Sequence, residues 1–100
     1  MLVGNKPLTF ELVPEWEQLP SGWGHGDVAG VAADAEDRVF VFNRGEHPVI
    51  IYDRDGRFVK SWGEGLFTRP HGITIHDDLV YCADDTDHTV RALTLDGQVL

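Results

Sequence analysis

The chain has 100 residues, with 8 Lys and Arg against 17 Asp and Glu and a formal charge of −9 when the five histidines are neutral. A chain of that length holds one domain with a modest core, and its charge repels a nucleic-acid backbone or an anionic membrane surface. The lone Cys82 excludes an internal disulfide, the opening MLVGNKPLTF lacks the regions of a secretory signal, and no apolar run nears the roughly 18 residues of a membrane span. A cytoplasmic location is expected, with no nucleic-acid or membrane partner.

Short bursts of alternating apolar and polar residues, punctuated by Gly, Pro and Asp, predict an all-β chain without helices. The first burst, LTFELV, predicts a strand over 8–13 inside an N-terminal arm, residues 1–26. Two roles are open for it: a strand that closes a ring of sheets and hides an edge, or a loosely attached arm. Strands then follow over 27–33, 38–43, 48–53 and 58–62, and again over 71–76, 79–83, 89–94 and 98–100. RDG at 54–56 and DG at 96–97 predict tight hairpin turns, because Gly accepts positive φ and Asp tolerates it.

These two sets of strands are copies of one unit. Gly30 aligns with Gly72 at a separation of 42 residues, and after one deletion Val39, His47, Val49 and Gly56 align with Val80, His88, Val90 and Gly97 at 41. A repeat of about 40–45 residues carrying four strands is the mark of a β-propeller blade. Residues 27–68 form a first blade and 69–100 a second whose outer strand is truncated. Propellers close with about 4–8 blades, so two blades predict part of a larger ring.

The segments GVAADAEDRVFVFNRGEHP and FTRPHGITI, followed by a D-D-x-D-H turn, resemble NHL-repeat propellers of six blades. Within them the chain is similar to the first two blades of the peptidyl-α-hydroxyglycine α-amidating lyases. The resemblance implies a lyase that cleaves a peptide ending in α-hydroxyglycine to a peptide amide and glyoxylate, with zinc held by three histidines in the central channel. It implies that His71 is one zinc ligand, that Arg44 stands beside the substrate, and that Val31 and Ile73 offer main-chain carbonyls to a structural calcium. Two zinc histidines and a catalytic tyrosine fall outside the two blades, so the chain alone is expected to be inactive.

His71 also fits the chemistry by its place, since the start of an inner strand faces the ring axis and histidines from alternate blades would leave a tetrahedral zinc one open position. Pro-His-Gly at a strand start is equally a turn whose imidazole meets a backbone carbonyl. Arg44 is equally an ion-pair partner of Glu46 or of an acidic loop. His47 and His88 share a repeat position, which predicts a common structural role in the turn before the third strand. DDTDH at 84–88 lacks the twelve-residue calcium-loop pattern and reads as a solvated turn. Cys82 reads as a small core residue, and Trp62 as packing between blades. A non-catalytic NHL-repeat module that binds a protein or small peptide-like ligand is the alternative to the enzyme. Association of copies through exposed blade faces is a further expectation, because three two-bladed chains would complete six blades.

Overall fold

The computed structural model describes residues 1–100 and is all-β: β1 (Leu2–Asn5), β2 (Leu8–Glu11), β3 (Val28–Ala33), β4 (Val39–Asn43), β5 (Val49–Tyr52), β6 (Phe58–Trp62), β7 (Pro70–His76), β8 (Leu79–Asp84) and β9 (Thr89–Thr94). Strands β1 and β2 pair only with each other, β3 to β6 form a four-stranded sheet in chain order, and β7 to β9 form a three-stranded one. All pairings within these sheets are antiparallel. The tight turns form where Gly permits left-handed backbone: Gly56 has φ 85° and Gly97 φ 88°. In the first turn Asp53 accepts from the N–H groups of Asp55 and Arg57; in the second, Thr94 accepts from Gln98.

The two sheets repeat each other down to their irregularities. The β3–β4 register slips between Val28 and Gly30, and the β7–β8 register slips at the equivalent place, between Pro70 and Gly72. Phe40 lies opposite Ile51 and Phe42 opposite Val49; their counterparts Tyr81 and Ala83 lie opposite Ala92 and Val90. Alternation along a strand gives each sheet two faces. The Phe40, Phe42, Val49 and Ile51 face of the first sheet packs on Val80, Cys82 and Leu93 of the second, all seven fully buried, with Ile73, Ile75 and Trp62 at the margin. Burying side chains of this size contributes about 1.5–3 kcal/mol each, so this inter-sheet layer is the main source of stability.

Inner strands β3 and β7 run close together. A Cβ on Gly30 would stand 3.2 Å from Ile73 Cγ2 and 3.3 Å from its amide nitrogen, which explains glycine there. At the outer end the Trp62 indole lies over Gly97 and its Nε1–H donates to the Leu95 carbonyl at 3.1 Å. Trp62 therefore joins the blades as its sequence position suggested.

Two elements depart from expectation. The N-terminal burst pairs with an unforeseen strand, β1, in a hairpin whose residues are all exposed; in the sequence, Gly4 and Asn5 obscured its alternation. At the other end, 98–100 makes no strand: an isolated Leu93–Val99 bridge, a Leu100 N–H bond to the Ala92 carbonyl and a Thr94 N–H bond to the Gln98 carbonyl hold it against β9. Beyond the hairpin the arm is attached: Trp16, Leu19 and Trp23 pack on Val41, Ile50 and Tyr52, the opposite face of the first sheet.

Candidate functional site

The same loop end of both sheets carries the starts of β3 and β7 and the ends of β4 and β8. Two buried side chains build it. Asn43 ends β4, accepts from the N–H groups of Gly26 and Gly45 at 2.9 Å each, and donates to the carbonyls of His47 and Pro48. Asp84 ends β8 at the equivalent position and accepts from Thr68 and Arg69 before β7 and from Thr86 and Asp87 after β8. Each residue ties the segment leading into its blade to the turn leaving the second strand. Burial alone would raise the Asp84 pKa, but the four backbone N–H groups outweigh it and hold the carboxyl below its usual range. Asp84 is only 2% exposed, so this member of DDTDH is a structural anchor and not part of a solvated turn. An Asx at the end of the second strand of both copies was the signal available in the sequence.

Arg44, the residue after Asn43, reaches across to the second blade, where its Nε–H donates to the Pro70 carbonyl at 2.9 Å. That bond puts the guanidinium beside the backbone of His71. It forms no ion pair with Glu46; the Nη atoms have no partner within the chain. His71 sits in the bulge that opens β7, its imidazole 63% exposed, with Nδ1 3.3 Å from Asp85 Oδ2. Arg69 Nη1 lies 3.5 Å from the same carboxylate oxygen, whose mate, Oδ1, is buried without a partner. With Asp85 against Nδ1, the Nε2 edge of His71 is the one left to meet a ligand. Arg44, His71, Asp85 and Arg69 thus gather on one rim from both blades.

Next to this rim, residues 22–26 and 45–47 enclose a half-open cavity of ≈ 280 Å³. Trp23 stacks flat on His47, ring centres 3.4 Å apart and planes 7° from parallel, while His47 Nδ1 lies 2.8 Å from Glu64. His25 Nε2 is 2.9 Å from the Tyr52 hydroxyl, whose pKa burial and the nearby Glu17 push up to about 12. Neither His25 nor Trp23 carried a spacing signal in the sequence. His47 and His88 do not share a role: His88 serves its turn through a left-handed backbone, φ 56°, and its side chain makes no hydrogen bond.

No group of three or more His, Cys, Asp or Glu is placed to share a metal ion. His71 is a lone imidazole already engaged at Nδ1, so the side chains of this chain do not by themselves make a zinc centre. Val31 and Ile73 lie on the adjacent inner strands β3 and β7, and no such acidic group accompanies their carbonyls. Cys82 is buried in the inter-blade layer, its thiol pushed up to about 12, and is a core residue without nucleophilic character.

The fold defines a class: an all-β protein of antiparallel propeller blades stacked face to face, with polar loops gathered at one end. No family model matches the chain. It is similar to the human NHL repeat-containing protein 2, with 24% identity over 74 residues that take in 62% of this chain and 10% of that protein. The chain spans about a tenth of the length of that curated relative, and this likeness, with the four-stranded antiparallel blade, fits NHL repeats. No helix is long and apolar enough to cross a membrane.

Proposed function

We propose that the chain is a two-blade NHL-type unit whose loop rim binds a peptide-like or small ligand through a carboxylate. A single observation carries this: the Arg44 bond to Pro70 O sets a permanently charged guanidinium beside the backbone of His71, in a chain that is otherwise strongly acidic. The Nη groups of Arg44, which have no partner within the chain, suit a planar carboxylate, which arginine recognises with paired N–H groups. Asp85 fixes the orientation of His71 from behind. The test is nuclear magnetic resonance titration with N-acetylglycine, and with N-acetylglycinamide as the uncharged control. Shifts at Arg44, His71 and Asp85 with the acid alone are expected, and they should vanish in Arg44→Ala. Equal shifts with both compounds, or none, would overturn the assignment.

A second function keeps the same rim and adds chemistry: cleavage of peptidyl-α-hydroxyglycine to amide and glyoxylate. The reach of Arg44 to the carbonyl that precedes His71 favours it, because the lyases that the sequence resembles need an arginine and a histidine together. Zinc would then require imidazoles from further blades, since this chain supplies one. Glyoxylate release by the complete gene product, lost in His71→Ala, would support it; no release from the wild-type product discards the lyase and leaves the binding rim.

A further inference from the structure

The two blades are joined by an interface that is left half-built at both ends of the chain. In the joined pair, one face supplies Phe40, Phe42, Val49 and Ile51, and the other supplies Ile73, Val80, Cys82 and Leu93. The first face recurs on the second blade as Tyr81, Ala83, Val90 and Ala92, paired in the same register. There it meets nothing: Val90 is 69% exposed, Tyr81 36%, and a Cβ on Gly72 would have no neighbour within 4 Å, whereas Gly30 at the same repeat position is pressed against Ile73.

The accepting face recurs on the first blade as Val31, Val39, Val41 and Tyr52. Its outer half is covered by the arm, and the cover copies the established interface. Trp16 lies on Gly56 as Trp62 lies on Gly97, since a Cβ on either glycine would collide with that tryptophan. Trp62 is the last residue of β6, the fourth strand of its blade. Trp16 therefore stands where the fourth strand of a preceding blade would end. The inner half of the same face has no cover: Val31 is 58% exposed where its counterpart Ile73 is packed into the core. What is missing beside the first blade is a sheet of three inner strands, and the second blade is a three-stranded sheet with a bare face and a β9 edge that residues 98–100 meet only at Ala92–Thr94.

We infer that two copies of the chain associate head to tail, the Tyr81, Ala83, Val90 and Ala92 face of one docking on the Val31 side of the other, with the Trp16 end of the second copy's arm meeting Thr89–Arg91, the part of the β9 edge that residues 98–100 of the first leave unpaired. The contact is heterologous, so it repeats until a ring closes or a chain forms. It continues the interface already present within each copy, and it rests on the two-blade fold without depending on ligand binding at the rim.

Sedimentation equilibrium of the full chain, in salt that screens the −9 charge, tests this. The mass should rise with concentration above the 11.2 kDa of one copy. Val31→Glu and Val90→Glu, at exposed positions on opposite faces, should each remain monomeric with unchanged circular dichroism. Mixed together they should form a one-to-one dimer, because each keeps one intact face. As a second measure that spares the fold, Val31→Cys mixed with Gly72→Cys, the positions equivalent to the Ile73 and Gly30 that touch within one copy, should give mixed disulfides in excess of same-variant ones. Wild type that stays at monomer mass at all concentrations, as when these faces take blades of another chain, overturns the inference. So do association surviving in Val31→Glu, and a mixture that stays monomeric or crosslinks at random.

Discussion

Asn43 and Asp84 occupy one repeat position in two blades and do one job with different chemistry. The amide of Asn43 both accepts and donates, bridging N–H groups of Gly26 and Gly45 to carbonyls of His47 and Pro48. The carboxylate of Asp84 only accepts, so its turn presents four N–H groups. Around this pair the loops take the shape that brings Arg44 to Pro70 and Asp85 to His71.

Asp84 ties stability to pH. Its folded pKa is lowered by the backbone N–H groups, so its contribution is complete above the ordinary unfolded carboxylate value of about 3.9 and is lost as pH falls through the lower folded value. Urea unfolding at a series of acidic pH values should show the wild-type midpoint falling in that window. Asp84→Ala should start lower at neutral pH and fall less steeply. The exposed Asp27→Ala, which removes a carboxylate without a hydrogen bond or ion pair, should match wild type throughout.

The inter-blade layer should be sensitive to volume. Phe42 is fully buried, with its ring centre 4.8 Å from that of Phe67. Phe42→Ala is expected to cost about 3–5 kcal/mol, a large part of the about 5–15 kcal/mol available to a small domain. Denaturant titration followed by circular dichroism should show a marked fall in midpoint.

Two glycines with left-handed backbone separate strain from crowding. Gly65 has φ 75° and open space around it, so Gly65→Ala should cost about 1 kcal/mol, the conformational term alone. Gly97 has φ 88° and a Cβ there would stand 2.4 Å from Trp62 Cγ. Gly97→Ala should cost about 3 kcal/mol or more, as overpacking adds to strain. Thermal unfolding of the two variants side by side makes the comparison.

Cys82 should be silent until the fold opens. With its thiol buried and pushed up to about 12, a disulfide reagent at about pH 8 should react at once only in denaturant. Fast labelling of the native chain would show that the two blades part readily.

The blades were legible in the sequence because a β-strand declares itself locally. Alternation in VFVF and VIIY, turn residues at 54–56 and 96–97, and one period of about 41 residues place eight of the strands and pair the sheets. The burial of Cys82 and the bridging place of Trp62 follow from the same pattern. His71 at the start of an inner strand was legible too, as was the candidacy of Arg44. That the two share one rim was not: they lie 27 positions apart, and only the packing of one sheet on the next brings Arg44 Nε to the Pro70 carbonyl. Nor did the sequence place the arm, because Trp16 and Trp23 belong to no repeat; their position depends on a face that exists only once β4 and β5 have paired. Local periodicity determined the repeating sheets, whereas contacts between distant segments, set by how sheets stack, decided the rim and the two open faces.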